Sequence, residues 1–168
     1  LDKMEILVAD GMSDDDTRTI LSDYQAKLDN LLVFDNPRRI VPTGMNIAMR
    51  DARGTILIRV DGHCEIAPDY VRRCVYYLQN DLADGVGGPM ETTGQTGIAQ
   101  MIAVAMSSPF GVGNSAFRTV TDRTMQSDTV PFPAYKRSVV EHAGGYDEEL
   151  VRNQDDEFNY RLREHGER

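Results

Sequence analysis

The sequence predicts a three-layer α/β fold, a mostly parallel sheet with helices on both faces. Two observations predict it. Over residues 4–89, short apolar runs of strand length alternate with stretches whose apolar residues recur at helical spacing, in the order strand, helix, strand, helix, strand, helix, strand. One of those runs, Ile56, Leu57, Ile58 and Val60, is apolar on both of its faces, as a central parallel strand is.

Taken in order, residues 4–9 read as a buried strand, followed by a carboxylate-rich turn from Asp10 to Asp16. Thr17 opens a helix whose buried stripe is Ile20, Leu21, Tyr24 and Leu28. Residues 31–34 form a second strand, closed by Asp35, Asn36 and Pro37. Thr43 is placed to cap the next helix, with Met45, Ile47, Ala48, Met49 and Ala52 as its apolar set and Gly54 as its stop. The strand through Ile58 comes next. Pro68 then starts a helix with Val71, Cys74, Val75 and Leu78 on its buried face, and residues 85–89 run from a short strand into a glycine-rich turn.

Beyond Pro89 the alternation fades. Residues 98–106 look helical and rich in small residues, 107–115 form a loop of glycines and small polar residues, and a polar stretch follows to Asp128. Residues 131–133 read as extended, 137–142 as a short helix stopping at Gly144 and Gly145, and Asn153 as the cap of a last helix. Loops of such length in a compact domain commonly carry function, and Gly113, Asn114 and Ser115 are placed to line a binding surface.

At 168 residues the chain fits one domain, with residues 1–90 as one half and 91–168 as the other. A formal net charge of -9 and the lack of a basic patch argue against a nucleic-acid binder. A polyanionic ligand stays compatible with that charge if a metal ion neutralises it. Cys64 and Cys74 fit neither a disulfide framework nor a zinc motif and read as two buried thiols of a reducing compartment. No apolar run approaches the roughly 20 residues of a membrane span, and no signal peptide opens the chain.

Four acidic places attract chemistry. Asp61 and His63 follow the central strand, where ligands of open α/β sheets sit. In an extended chain the two side chains would point the same way across Gly62, a candidate cation site. Taken alone, the stretch reads equally as an Asp-Gly turn. Asp10 ends the first strand, and the group Asp147, Glu148 and Glu149 follows the glycine pair. In the last helix Asp155, Phe158 and Leu162 share a face, so the apolar pair turns Asp155 inward; Asp156 lies on the exposed flank, and Glu157 pairs with Arg161 at i, i+4. An inward carboxylate at a helix start is a better general-base candidate than its neighbours.

The ordered set Val8-Ala-Asp-Gly-Met-Ser-Asp14, Gly44-Met-Asn-Ile-Ala48 with Gly54, Val60-Asp-Gly-His63, Gly144-Gly-Tyr-Asp-Glu148 and Gln154-Asp-Asp-Glu-Phe-Asn-Tyr-Arg-Leu162 resembles the family 2 glycosyltransferases of the GT-A fold. Within them it looks most like the bacterial exopolysaccharide type that includes the succinoglycan-biosynthesis enzymes. The resemblance implies a GT-A fold truncated at the N-terminal strand and at the C-terminus, with residues 1–90 binding nucleotide and 91–168 on the acceptor side. It implies Asp10 at the uracil ring, Asp61 at the ribose and metal-diphosphate, His63 at the metal-binding position, and Asp155 as general base. His63 stands where the family usually has an acid, and imidazole suits Mn2+ at least as well as Mg2+. Gln154 stands where the family usually has Glu.

The implied activity is inverting, metal-dependent transfer of a sugar from a UDP-sugar to a growing polysaccharide or a lipid-linked saccharide. It would take place in the cytoplasm, at the inner face of the membrane, with any membrane association made through segments outside this chain. The alternative is a non-catalytic nucleotide-sugar-binding domain on the same scaffold. A sugar nucleotidyltransferase ranks third, because no basic glycine-rich triphosphate loop precedes the first helix.

Overall fold

The computed structural model describes residues 3–108, 112, 116–119, 123–127 and 129–166. The chain divides into two compact units, one made of Leu1–Leu57 with Lys136–Arg168 and the other of Ile58–Tyr135.

The first unit is built on a parallel pair, β1 (Ile6–Asp10) and β2 (Leu31–Asp35), in register from Ile6 opposite Leu31 to Asp10 opposite Asp35. The Asn36 N–H extends this ladder to the Asp10 carbonyl at 2.8 Å. The connection is α1 (Thr17–Gln25), which starts where its spacing predicts. Its stripe is not buried: Ile20 and Tyr24 are each 52% exposed, and no residue of α1 is buried. A sheet of only two strands is too narrow to cover the full apolar face of the helix.

Helix α2 (Val41–Asp51) packs on β1 and buries Pro42, Thr43 and Gly44. Thr43 is not its cap. That position falls to Ile40, and the Thr43 hydroxyl instead donates to the Asn36 Oδ1 (2.8 Å) or the Ile40 carbonyl (2.9 Å) from inside the first turn. Gly54 does not end α2 either, since the chain is already extended at Ala52. It follows that the residues before β3 need other anchors. The Glu5 carboxylate accepts from the Arg53 and Gly54 N–H groups, and the Arg137 guanidinium donates to the Ala52 and Gly54 carbonyls.

Two more helices complete the unit, α6 (Arg137–Ala143) and α7 (Gln154–Glu164), which pack on one another. Gly144, at φ 84°, ends α6 in the left-handed conformation a C-terminal glycine favours. Phe158 and Leu162 are buried, as the spacing of the last helix requires. Asn153 precedes α7 at φ 60° and makes no side-chain capping bond, contrary to the expected cap.

The remaining strands form a second sheet in the order β3 (Ile56–Ile58), β5 (Ala134–Lys136), β4 (Gly85–Val86). The boundary between the units falls within β3 and β5. Strand β3 is shorter than its apolar run: Val60 lies beyond it and is 48% exposed. Within the second unit β4 and β5 are antiparallel, and a Cβ at Gly85 would fall 2.6 Å from the Tyr135 ring, so this pairing requires glycine. Strand β5 is absent from the sequence-based expectation. The stretch before it is not extended, because Phe132 sits at φ 47° and makes a bend, its carbonyl accepting from the Tyr70 hydroxyl at 2.6 Å.

Helix α3 (Tyr70–Gln79) begins after a turn at Pro68 and Asp69 and buries Cys74 and Leu78 as expected. Cys64, by contrast, is only partly buried. Helix α4 (Gly97–Met106) is capped by Thr96, and α5 (Ala116–Thr119) is a single turn. Gly113, Asn114 and Ser115 lie outside the described residues. The core of this unit has a direct test. Leu78 is 2% exposed, so Leu78→Ala should cost about 2–5 kcal/mol. Urea unfolding should show a lower midpoint with unchanged slope.

Candidate active site

Asp10 is the last residue of β1 and is only 5% exposed. The turn after the strand folds back on it: the Ser13 N–H donates to Oδ2 at 3.1 Å and the Ser13 hydroxyl to Oδ1 at 2.5 Å. Arg18, in the first turns of α1, donates its Nε–H to Asp10 Oδ2 and pairs through Nη2 with Asp35 Oδ1 at 2.7 Å. One guanidinium thus ties together the ends of the two parallel strands.

The Ser13 hydroxyl, the Ser13 N–H and Arg18, in that order, hold the Asp10 carboxyl below its ordinary range, against an opposing contribution from burial. A carboxyl with a depressed folded pKa stabilises the fold fully above its unfolded value of roughly 4. That contribution is lost as pH falls through the lower, folded value. Thermal melts between pH 7 and pH 2 should therefore show Asp10→Asn less stable than the parent at neutral pH, with the gap closing in acid. A gap that does not change with pH would remove the ionised form from this role.

Asp61 lies three residues beyond the end of β3. The chain there is not extended: the Cys64 N–H donates to the Asp61 carbonyl at 3.1 Å, closing a turn over Gly62 and His63. The two-residue period that would aim Asp61 and His63 the same way is therefore lost. Asp61 is partly buried and His63 is exposed. Asp61 is also engaged. Arg59, whose side chain is 7% exposed, grips it with Nε to Oδ1 at 2.7 Å and Nη2 to Oδ2 at 3.0 Å. Such a bidentate pair fixes the direction of the carboxylate.

Among the described residues no three His, Cys, Asp or Glu side chains gather in a way that would hold a metal. Asp61 and His63 supply two protein donors at most. That donor set fits an ion that arrives with a diphosphate and takes its other oxygens from phosphate and water, not an ion resident in an all-protein cage.

Asp155 lies in the first turn of α7 and is partly buried, while Asp156 is exposed. Glu157 makes the expected pair with Arg161, one arm being Nη2 to Oε2 at 2.8 Å. By helical spacing Asp155 falls on the face of buried Phe158 and Leu162. The positive end of the helix favours a carboxylate there.

Before α7, Asn46 on α2 holds the segment after Gly145. Its Nδ2 donates to the Tyr146 carbonyl at 2.8 Å and to Glu148 Oε1 at 3.0 Å, and its Oδ1 accepts from the Tyr146 N–H at 2.9 Å. A pocket of about 480 Å³ opens beside this contact, lined by Asn46, Met49, Arg50, Leu57, Arg137 and Glu148 among others. None of Asp10, Asp61, His63 and Asp155 lines it. Asp10 and Asp155 belong to the first unit, Asp61 and His63 to the second.

Sequence reasoning did not single out Arg18, Arg59 or Asn46. Arg59 carried a signal, since a cation two residues before Asp61 shares its face at the end of a strand. Arg18 and Asn46 carried none at short range. Arg137 is spent on the carbonyls of Ala52 and Gly54.

The family profile described as "Glycosyl transferase family 2" matches residues 1–144. The chain belongs to glycosyl transferase family 2. As a family 2 chain it is similar to the succinoglycan biosynthesis protein ExoA of Rhizobium meliloti (strain 1021), 32% identical over 165 residues, which are 97% of this chain and 50% of that protein. The chain thus spans about half the length of this relative. Solved structures share its fold. S. aureus TarS 1-349 in complex with UDP-GlcNAc matches with TM-score 0.71 at 20% identity, over 96% of this chain and 44% of that one. The mannosyltransferase PcManGT from Pyrobaculum calidifontis, in complex with GDP-Man and Mn2+, matches with TM-score 0.69 at 19% identity, over 99% of this chain and 45% of that one. The fold is that of the GT-A glycosyltransferases, as the order of motifs implies.

Proposed function

We propose that this chain carries the catalytic core of an inverting glycosyltransferase that moves a sugar from a UDP-sugar to a polysaccharide or lipid-linked saccharide. One observation carries the reading: the family match over residues 1–144 is followed, in the first turn of α7, by a partly buried carboxylate, Asp155. Succinoglycan biosynthesis in the name of the ExoA relative supports a glycan product. UDP-GlcNAc and Mn2+ in the two solved complexes support a nucleotide-sugar donor and a divalent ion.

In this reading residues 1–90 bind the nucleotide and 91–168 serve the acceptor. Asp10 faces the uracil ring. Asp61 and His63 take the metal and diphosphate end, and a divalent ion bound there would neutralise charge on the departing diphosphate. Asp155 accepts the proton of the acceptor hydroxyl as its oxygen bonds to the anomeric carbon. The bond from that carbon to the diphosphate breaks, its electron pair leaving with UDP. One displacement with one base inverts the centre and needs no second carboxylate. Among the described residues no helix is long and apolar enough to cross a membrane. Work at the cytoplasmic face of a membrane belongs to the proposal.

The test is transfer of label from UDP-glucose to acceptor by the intact protein with Mn2+. Label in the acceptor, lost on chelation and restored by Mn2+, supports the reading. Hold of Asp61 by Arg59 and exposure of His63 favour a second reading, a nucleotide-sugar-binding domain without catalysis. UDP binding without transfer or hydrolysis would establish it.

A further inference from the structure

The first turn of α7 must be held accurately if Asp155 is to act on an acceptor. Asn153 stands before it at φ 60° and makes no side-chain capping bond. Anchoring contacts come from the segment before the helix. Tyr146, 5% exposed, stacks its ring on Phe158, with centroids 4.5 Å apart and planes at 22°. Phe158 lies one helical turn after Asp155, on the same face. From the same helix Arg161 donates to the Gly145 carbonyl at 2.6 Å and to the Ala143 carbonyl. The segment 143–148 is thus the seat on which the start of α7 rests.

From the other side the seat is held at Glu148 by Arg38, which donates to Oε2 at 3.0 Å and to the carbonyl at 3.3 Å, and at Tyr146 by Asn46. The Asn46 amide pairs with both backbone groups of Tyr146, as a neighbouring strand would, and also reaches Glu148. The approach is close enough to dictate the sequence at Gly145. That residue sits at φ 82°, and a Cβ there would fall 2.9 Å from Asn46 Oδ1. Both the left-handed backbone and the contact require glycine.

We infer that Asn46 is a positioning residue for transfer: by gripping Tyr146 it sets, through Phe158 and Arg161, where the Asp155 carboxylate stands. The inference rests on the proposed role of Asp155 and adds a residue about 100 positions upstream to it.

Asn46→Asp keeps the acceptor for the Tyr146 N–H but removes both donated bonds and sets a second carboxylate against Glu148. Gly145→Ala keeps every hydrogen-bonding group and pushes the seat away by bulk. In the intact protein both variants should lower kcat about 10- to 100-fold, the scale of a misplacement of about 1 Å. The dissociation constant for UDP should stay within about twofold, because the nucleotide contacts proposed at Asp10 and Asp61 are untouched. In an Asp155→Asn background, either change should produce little further loss, since both would act through the same carboxylate.

Full additivity in that background would overturn the inference, as would kcat unchanged in Asn46→Asp. Failure of the base assignment has a different signature: Asp155→Asn itself would turn over normally. Should the variants not fold, hydrogen exchange in the parent decides the matter. The Tyr146 amide should be protected as strongly as the backbone of α7, and rapid exchange there would overturn the grip.

Discussion

Asp155→Asn is expected to lower kcat for sugar transfer by about 10²–10⁴-fold, the usual contribution of a positioned general base. UDP affinity should be almost unchanged. The side chain is partly buried on the face it shares with Phe158, and an amide of the same shape keeps that packing. The melting temperature should consequently move little. Parallel substitutions sharpen the result. Asp156 is exposed, so Asp156→Asn should leave turnover within about twofold, as surface changes do. Glu157→Gln weakens the Arg161 pair and, through Arg161, the seat at Gly145, so a smaller loss is expected there. Turnover unchanged in Asp155→Asn would move the base elsewhere.

The second large effect is expected at Asp61, and it has two parts. Arg59 is nearly buried, and Asp61→Ala would leave its guanidinium without the bidentate partner. Breaking such a pair from one side should cost about 2–3 kcal/mol, less than for a fully buried pair because Asp61 retains some contact with water. Turnover should fall further than stability explains, by about 10²–10³-fold, if this carboxylate serves the diphosphate end. Replacing both residues, Arg59→Met with Asp61→Ala, separates the two parts. An apolar pair removes the buried cation, so stability should largely return while turnover does not. Recovery of turnover in the double variant would make the pair a structural feature and nothing more.

These expectations differ in how far the sequence alone could reach them. Periodicity found α1, α2, α3 and the last helix because each presents apolar residues to one side at helical spacing. It found the Glu157–Arg161 pair from the i, i+4 rule. It failed where tertiary contacts decide. The stripe Ile20 and Tyr24 predicts burial, but a two-stranded sheet leaves it half exposed. Thr43 has the chemistry of a cap and spends it on buried Asn36 instead. Strand β5, three residues between a bend at Phe132 and a helix, is too short for any pattern to show.

The site divides in the same way. Asp10, Asp61, His63 and Asp155 were visible as acidic and imidazole side chains at element ends. Their restraints were not. Arg18 reaches Asp10 from the first turns of α1, and Asn46 reaches Tyr146 across 100 residues of chain. The paired direction expected for Asp61 and His63 assumed an extended backbone, which a turn closed at Cys64 replaces.

The proposed function assigns UDP contacts to Asp10 and to the Asp61–His63 turn. A crystal structure of the intact protein soaked with UDP and Mn2+ tests it most directly. Uracil is expected against Asp10, with the diphosphate and the ion at Asp61 and His63. UDP bound away from Asp10, or an ion held by neither Asp61 nor His63, would contradict it.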